Sequence, residues 1–123
     1  MDFLDNQPIY MQISDYFCEN ILTREWKENE KIPSVREIAV LVEVNPNTAI
    51  RAYTFLQDQG IIYNKRGIGY FVADDGYTKA LEMRKNEFIR KDVPVFFKTM
   101  NLLNMKCTDL EQIYNDQGAA KVK

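Results

Sequence analysis

The segment 47–54 carries polar side chains whose types and spacing suit hydrogen bonding to DNA. At about 100° per residue in a helix, Asn47, Arg51 and Thr54 share one face. Thr48 lies on the flank of that face near the helix start, where it can reach a phosphate. An Asn side chain can pair with an adenine edge, and an Arg side chain can pair with a guanine edge. The alternative, favoured for an isolated helix, is that these are solvated surface residues.

The helix that carries this face is predicted by its caps and by its hydrophobic spacing. Asn45 is typical of an N-cap and Pro46 of a first helical residue, while Gly60 is typical of a helix end. We also expect Asn45 to be one of the residues that contact DNA. Opposite the polar face, four apolar residues form a back that can be buried: Ala49, Ala52, Tyr53 and Leu56.

A shorter helix is predicted just before this one. Ser34 and Glu37 have the spacing of a capping box, and the link at Glu43-Val44 is as short as a helix-turn-helix motif requires. In that motif the shorter helix crosses the DNA backbone, so we expect Ser34 and Arg36 to contact phosphates. The alternative for Ser34 is that it only caps the helix.

A β-hairpin is predicted around residues 65–69, because the four residues on either side are rich in β-branched and aromatic types. Lys65 and Arg66 at its tip suit the minor groove or flanking phosphates. The Gly-x-Gly at 67–69 is a weak phosphate-loop signal by itself, and it is not followed directly by a helix. Gly67 and Gly69 are therefore interpreted as the turn of a DNA-contacting wing and not as a nucleotide-binding loop.

The order of these elements predicts the fold class. A first helix is expected from Pro8 to about Thr23, and two helices and a hairpin follow it. The expected fold is mostly α with a small β-hairpin wing: a winged helix-turn-helix followed by a short α-helical dimerisation tail. We place the DNA-binding domain at 1–76 and the helical region at 77–123, with a turn-rich boundary at 74–76.

The region 77–123 holds more large apolar residues than two short helices need to cover a small domain. Burying one such side chain contributes roughly 1.5–3 kcal/mol, so an exposed set would drive association. We expect a two-fold homodimer on a palindromic operator; the alternative is a tail that folds back on its own domain. The expected interface residues are Leu81, Phe88, Phe96, Phe97, Met100 and Leu103.

The same region contains two further signals of local structure. Pro94 interrupts the helical pattern, so we expect a break or kink near Asp92–Pro94. A last short helix is expected to begin at Thr108, with a second capping box formed by Thr108 and Glu111.

The composition excludes several classes of chemistry. The chain has no His, which excludes histidine-based catalysis and most zinc sites. Cys18 and Cys107 are too few for a thiolate cluster and are expected to be reduced thiols. We therefore expect no enzyme, no cofactor and no metal. No membrane span is present, and the start Met1–Asp5 lacks the pattern of a signal peptide, so a cytoplasmic location is expected.

The charge distribution keeps a second function class open. The net charge is -2. Residues 1–76 carry 7 Lys/Arg and 12 Asp/Glu, a balance of -5, whereas 45–71 carries three basic residues and one acidic, a balance of +2. Because phosphate neutralisation supplies most non-specific DNA affinity, an acidic domain is awkward for DNA binding. The alternative is a winged-helix protein-interaction module without DNA binding.

Several linked motifs resemble the GntR family of bacterial transcription regulators. They are Pro8-Ile9-Tyr10-x-Gln12-Ile13, Ile32-Pro33-Ser34-Val35-Arg36-Glu37-Ile38-Ala39, Val44-Asn45-Pro46-Asn47-Thr48-Ala49-x-Arg51-Ala52-Tyr53-x-x-Leu56, Gly60-Ile61-Ile62 and Gly67-x-Gly69-x-Phe71-Val72. The resemblance implies a dimeric DNA-binding winged helix, usually a repressor that a small-molecule effector releases. It also implies DNA contacts by Ser34, Arg36, Asn47, Thr48, Arg51 and the wing around Gly67.

The short tail resembles the YtrA-like subfamily, whose members often control transporter operons. Only about 47 residues follow Gly76, too few for the large effector domains of most relatives. The family often has glycine where this chain has Glu25, Asn29 and Glu43. At Glu43, in a tight turn, a left-handed backbone would cost about 1 kcal/mol.

Overall fold

The computed structural model describes residues 7–118. Its elements are α1 (Ile9–Leu22), α2 (Val35–Leu41), α3 (Pro46–Asp58), β1 (Ile62–Lys65), β2 (Gly69–Val72), α4 (Gly76–Glu87), a π-helical turn (Phe88–Asp92), α5 (Val93–Leu102), α6 (Cys107–Ile113) and a second π-helical turn (Tyr114–Gly118). The predicted fold class, mostly α with a β-hairpin wing, is confirmed. Two predictions fall partly outside the described residues. They are the absence of a signal peptide at Met1–Asp5 and the helical region 77–123, of which the last five residues are not described.

The hydrophobic core lies between α1, α2, α3 and the hairpin. Ile13 and Phe17 of α1, Ile38 of α2 and Val72 of β2 are fully buried. Phe17 also packs edge-on against Tyr53 of α3, with ring centroids 5.0 Å apart. This core holds α3 by one face only and leaves its other face in solvent.

The hairpin pairs in the register Ile62↔Val72 to Lys65↔Gly69. The structure adds a third segment that the sequence did not predict, since Lys31 pairs with Phe71 in an antiparallel bridge. The N–H of Ile32 donates to the Tyr70 carbonyl at 2.9 Å, and the N–H of Val72 donates to the Glu30 carbonyl at 3.1 Å. The stretch before α2 is therefore tied to the wing.

Helix starts depart from prediction at both ends of the chain. Pro8 is the N-cap of α1 and not its first helical residue. The helix α6 begins at Cys107, and the predicted box of Thr108 and Glu111 is wrong. The carboxylate of Asp109 instead accepts the N–H of Lys106 at 2.9 Å. Asp109 stands three residues after Lys106, the spacing at which a carboxylate reaches back to a helix N-cap.

Left-handed backbone occurs at or beside the three positions where the family often has glycine and this chain does not. Glu43 has φ 58° and Asn29 has φ 65°, so the condition under which Glu43 is strained, a left-handed backbone, is met. Near Glu25, the first of these three positions, the residue with the left-handed backbone is the preceding Arg24 (φ 67°) and not Glu25 itself. The Arg24 guanidinium lies 3.9 Å from the centroid of the Tyr77 ring and pairs with Glu28 at 2.9 Å.

The chain divides into two compact units between Arg84 and Lys85, eight residues beyond the predicted boundary. The first turns of α4 belong to the winged helix because Gly76 and Ala80 are buried there. The Arg84 guanidinium also donates to the backbone carbonyl of Asp15 at 3.2 Å.

The second unit contains a disturbed helix and many exposed apolar side chains. The hydrogen bonding widens to a π-helical turn at Phe88–Asp92, just ahead of Pro94, close to the predicted break. Of the predicted interface residues in this unit, Met100 is buried within the chain. Phe88, Phe96, Phe97 and Leu103 are between 48% and 61% exposed, and Leu81, in the first unit, is 39% exposed.

Candidate nucleic-acid interface

Helix α3 presents a polar face to solvent over a buried back. Ala49, Ala52, Tyr53 and Leu56 are all fully buried, which confirms the predicted inward face. The predicted outward residues are on the other side: Asn47, Arg51 and Thr54 are exposed, and Thr48 is half-buried on the flank. The face therefore has the hydrogen-bonding groups needed to read base edges.

The start of α3 is fixed by its cap. The side-chain carbonyl of Asn45 accepts the N–H of Asn47 at 2.7 Å, and Pro46 occupies the first helical position. The Asn45 side chain is thus engaged in capping. Its role in the interface is to fix the direction of the helix end on which Asn47 and Thr48 stand.

Arg51 is held by an aromatic ring that the sequence did not predict. Its guanidinium lies 4.5 Å from the centroid of the Tyr10 ring, which in turn packs edge-on against Phe55 at 6.2 Å. A cation over an aromatic face is attracted to the ring without the use of a hydrogen bond, so the N–H donors of Arg51 remain for a bidentate partner. Tyr10 therefore orients Arg51 and reduces the side-chain entropy that binding must overcome.

The capping box of α2 is confirmed, and it limits what Ser34 can do. The Ser34 hydroxyl accepts the N–H of Glu37 at 3.1 Å, and the Ser34 N–H donates to the Glu37 carboxylate at 2.8 Å. The hydrogen bond from the Ser34 backbone N–H, and then the one from the Ser34 side chain, hold the pKa of Glu37 below its usual value. The helix end thus already holds a carboxylate, so a phosphate contact on α2 depends mainly on the exposed Arg36.

A buried hydroxyl joins α3 to the segment that leads into α2. Tyr53 donates from its hydroxyl to the Pro33 carbonyl at 2.6 Å. Burial raises the pKa of Tyr53 well above its usual value, and the nearby Tyr70 and Glu37 add to this effect. The group therefore remains a proton donor at every physiological pH, and the hydrogen bond fixes the two helices of the motif.

The structure brings the predicted wing residues together at one end of the hairpin. Lys65 lies over the Phe71 ring, with its ammonium 4.9 Å from the centroid. Arg66 is exposed, and Gly67 has φ 78° with no atom near its missing Cβ. The tip also carries Ile68, 59% exposed, which the sequence analysis did not select although an apolar residue in such a turn is a signal for a groove-inserting side chain.

Beside α2 lies an open, apolar groove of about 460 Å³. Its lining residues are Arg36, Ala39, Val40, Val44 and Pro46. Val40 is 79% exposed and the adjacent Leu41 is 59% exposed, so α2 presents apolar as well as basic surface. If the domain binds a protein and not DNA, this exposed apolar groove is the surface that would bind the partner.

The described residues offer neither a metal site nor a membrane-spanning helix. Within 7–118, no three carboxylate or thiolate side chains come close enough together to hold a metal ion. In the same part of the chain, no helix has the length and apolar character needed to cross a bilayer.

Comparisons with known proteins agree with this geometry. The model of the family "Bacterial regulatory proteins, gntR family" matches residues 9–72. The transcriptional repressor YtrA of Bacillus subtilis is 38% identical over 82 residues, which cover 67% of this chain and 63% of YtrA. A solved structure of a GntR-family regulator from Bacteroides thetaiotaomicron is 42% identical, with a TM-score of 0.72 over 88% of this chain and 94% of that one.

DNA is present in some of the solved relatives. The DNA-binding domain of AraR in complex with operator ORX1 is 28% identical, with a TM-score of 0.54 over 59% of this chain and 90% of that one. The matched family model covers all three helices of the motif and both strands of the wing. The chain belongs to the GntR family of bacterial transcription regulators, which are DNA-binding proteins and not enzymes.

Proposed function

We propose that this protein is a transcriptional repressor that binds a palindromic operator as a homodimer. The observation that carries the proposal is the exposed polar face of α3, with Asn47, Arg51 and Thr54, on a helix whose back is fully buried. Such a helix can enter a major groove without disturbing the core. The similarity to YtrA, which is named a repressor, and to the operator-bound domain of AraR supports the same role.

Base reading and phosphate contact are assigned to different residues. Asn47 and Arg51 read bases, with Thr54 beside them, and Thr48 contacts the backbone. Cations on α2 and on the wing supply phosphate or minor-groove contacts around this helix. In the proposed interface Ser34 and Asn45 fix the helix ends, and the contacting residues are Arg36, Asn47, Thr48, Arg51, Thr54, Lys65, Arg66, Gly67 and Gly69.

The dimer is proposed from the apolar surface of the second unit. Phe88, Phe96, Phe97 and Leu103 are large and roughly half-exposed in the single chain, a costly arrangement in water. A two-fold contact buries the same patch on both subunits and presents two copies of α3 to an inverted repeat. Met100, which was predicted to lie in the interface, is instead buried within its own chain.

The effector and the regulated genes are proposed from the family. A small molecule that lowers the affinity of the dimer for its operator would relieve repression, and a transporter operon is the proposed target. The groove beside α2 and the acidic balance of 1–76 favour a second candidate, a winged-helix module that binds protein and not DNA.

Salt dependence of DNA binding separates the two functions. The operator is selected from random-sequence DNA, or taken from an inverted repeat upstream of the protein's own gene, and its affinity is measured over a range of salt concentrations. We expect log affinity to fall linearly with log salt, by about 0.9 for each phosphate contacted. A slope near zero would favour the protein-binding module.

Substitutions on α3 and the wing test the assignment of contacts. Arg51→Ala is expected to lose about 1–3 kcal/mol of operator binding, roughly 5- to 150-fold, and to relax specificity at one base pair. Lys65→Ala is expected to weaken all DNA sequences alike. The matched control is Arg90→Ala, an exposed arginine in the second unit. If both variants bound operator as tightly as the parent, the contact assignment would be wrong.

A charge in the apolar patch tests the dimer. Phe96→Asp is expected to convert the dimer to a monomer in sedimentation velocity, because it places a carboxylate in the buried contact. Lys98→Asp is the control, since about 200° separates it from Phe96 around α5. A parent chain that sediments as a monomer would refute the dimer, as would equal effects of the two substitutions.

A further inference from the structure

The segment before α2 is joined to the wing by a single antiparallel bridge. Lys31 pairs with Phe71 in an antiparallel bridge, and hydrogen bonds from Ile32 to Tyr70 and from Val72 to Glu30 flank that bridge. Directly opposed residues of an antiparallel pair project from the same face of a sheet. Lys31 therefore stands on the outer face of the wing.

The rest of that face follows from the register. Phe71 pairs with Tyr63, and Gly69 pairs with Lys65, so these side chains share the face with Lys31. The Tyr63 and Phe71 rings stack at 5.5 Å with an angle of 17°. Residues on the opposite face, such as Ile62 and Val72, are buried in the core.

The Lys31 side chain runs along this face toward the tip of the wing. A Cβ at Gly69 would lie 2.9 Å from Lys31 Cε and 3.7 Å from Lys31 Nζ, so the glycine leaves the space that the lysine fills. Lys65 lies over Phe71 on the same face. The two ammonium groups therefore lie over one short stretch of β2, beside the turn proposed to contact DNA.

Lys31 is also near the start of α2. It precedes Ser34 by three residues, and its charge makes a small contribution to lowering the pKa of Glu37, after the larger effects of the Ser34 hydrogen bonds. Lys31 thus stands between the two elements, α2 and the wing, that flank α3 in the proposed interface.

We propose that Lys31 binds an operator phosphate and, with Arg36 and Lys65, forms one continuous cationic edge from α2 to the wing. This inference rests on the proposed function. An ammonium with three donors on a flexible stem suits a phosphate and carries no base preference. The sequence analysis did not select Lys31 because its partners are about 40 residues away along the chain.

The test uses Lys31→Gln in the full-length chain, with Lys31→Arg to restore the charge. Lys79→Gln is the matched control, because Lys79 pairs with Asp75 at 3.2 Å and lies against Gly60, at the end of the hairpin away from its tip. Affinity for the selected operator and for random DNA is measured across salt concentrations, and thermal unfolding shows whether each variant is folded.

We expect Lys31→Gln to weaken both kinds of DNA several-fold at low salt. It should reduce the salt slope by about 0.9 per operator half-site, while the ratio of operator to random binding stays unchanged. Lys31→Arg should restore the slope, and Lys79→Gln should leave it as in the parent. If the parent shows a steep slope that Lys31→Gln leaves intact, this inference fails and the proposed function stands. A flat slope in the parent would refute both.

Discussion

The hydroxyl of Tyr53 offers a sharp test of how the two helices of the motif are fixed. Its ring packs against Phe17 at 5.0 Å and against Tyr70 at 4.7 Å, and its hydroxyl donates to the Pro33 carbonyl at 2.6 Å. Tyr53→Phe keeps both ring contacts and removes only this donor. Leaving a buried acceptor without its donor costs about 1–3 kcal/mol, and since Pro33 is only half-buried we expect about 1–2 kcal/mol.

The loss is measured by urea unfolding, followed through the fluorescence of the single tryptophan, Trp26, which packs 5.0 Å from Phe17. Each kcal/mol corresponds to a fall in Tm of about 4–8 °C for a domain of this size. Tyr63→Phe is the matched control, because its hydroxyl donates at 3.2 Å to Asn29 on the exposed surface and should contribute less than about 0.5 kcal/mol. Equal losses in the two variants would refute the argument.

Three further changes should alter stability. Glu43→Gly should raise the free energy of unfolding by about 0.5–1 kcal/mol in urea, because glycine adopts φ 58° without Cβ strain; a loss would contradict this. Gly76→Ala should lower it by about 1–3 kcal/mol, since the new Cβ would lie 2.7 Å from the Ile61 carbonyl oxygen; an unchanged midpoint would contradict this. The pKa of Glu37 is lowered from 4.5, so its ionised carboxylate stabilises the fold above that pH and this stabilisation is lost in acid. Glu37→Gln should therefore be less stable than the parent at neutral pH, and the difference in free energy of unfolding between the two should shrink as the pH falls. A difference that does not change with pH would contradict this.

The parts of the fold that the sequence predicted are those set by neighbours in the chain. The caps Asn45 and Ser34 act within three residues, and the apolar back of α3 repeats at helical spacing, so local rules placed both. The glycine that the family often has at the position of Glu43 pointed to a possible left-handed backbone, which depends on two dihedral angles of one residue.

The parts that the sequence did not predict depend on contacts between distant segments. The cation–π contact of Arg51 with Tyr10 joins α3 to α1, and the bridge between Lys31 and Phe71 ties the segment before α2 to the wing. Neither has a local pattern that a spacing rule detects. The same holds for the extent of the first compact unit, which reaches Arg84 and not Gly76. Arg84 is hydrogen-bonded to Asp15 of α1, a contact between distant segments.

The most direct test of the central claim is to measure operator variants, changed one base pair at a time, against the parent and Arg51→Ala. We expect the parent to discriminate strongly at one or two positions per half-site. Arg51→Ala should lose the base preference at one of these positions and keep it at the others. An Arg51→Ala variant with the full base preferences of the parent would show that the outward face of α3 does not read the DNA.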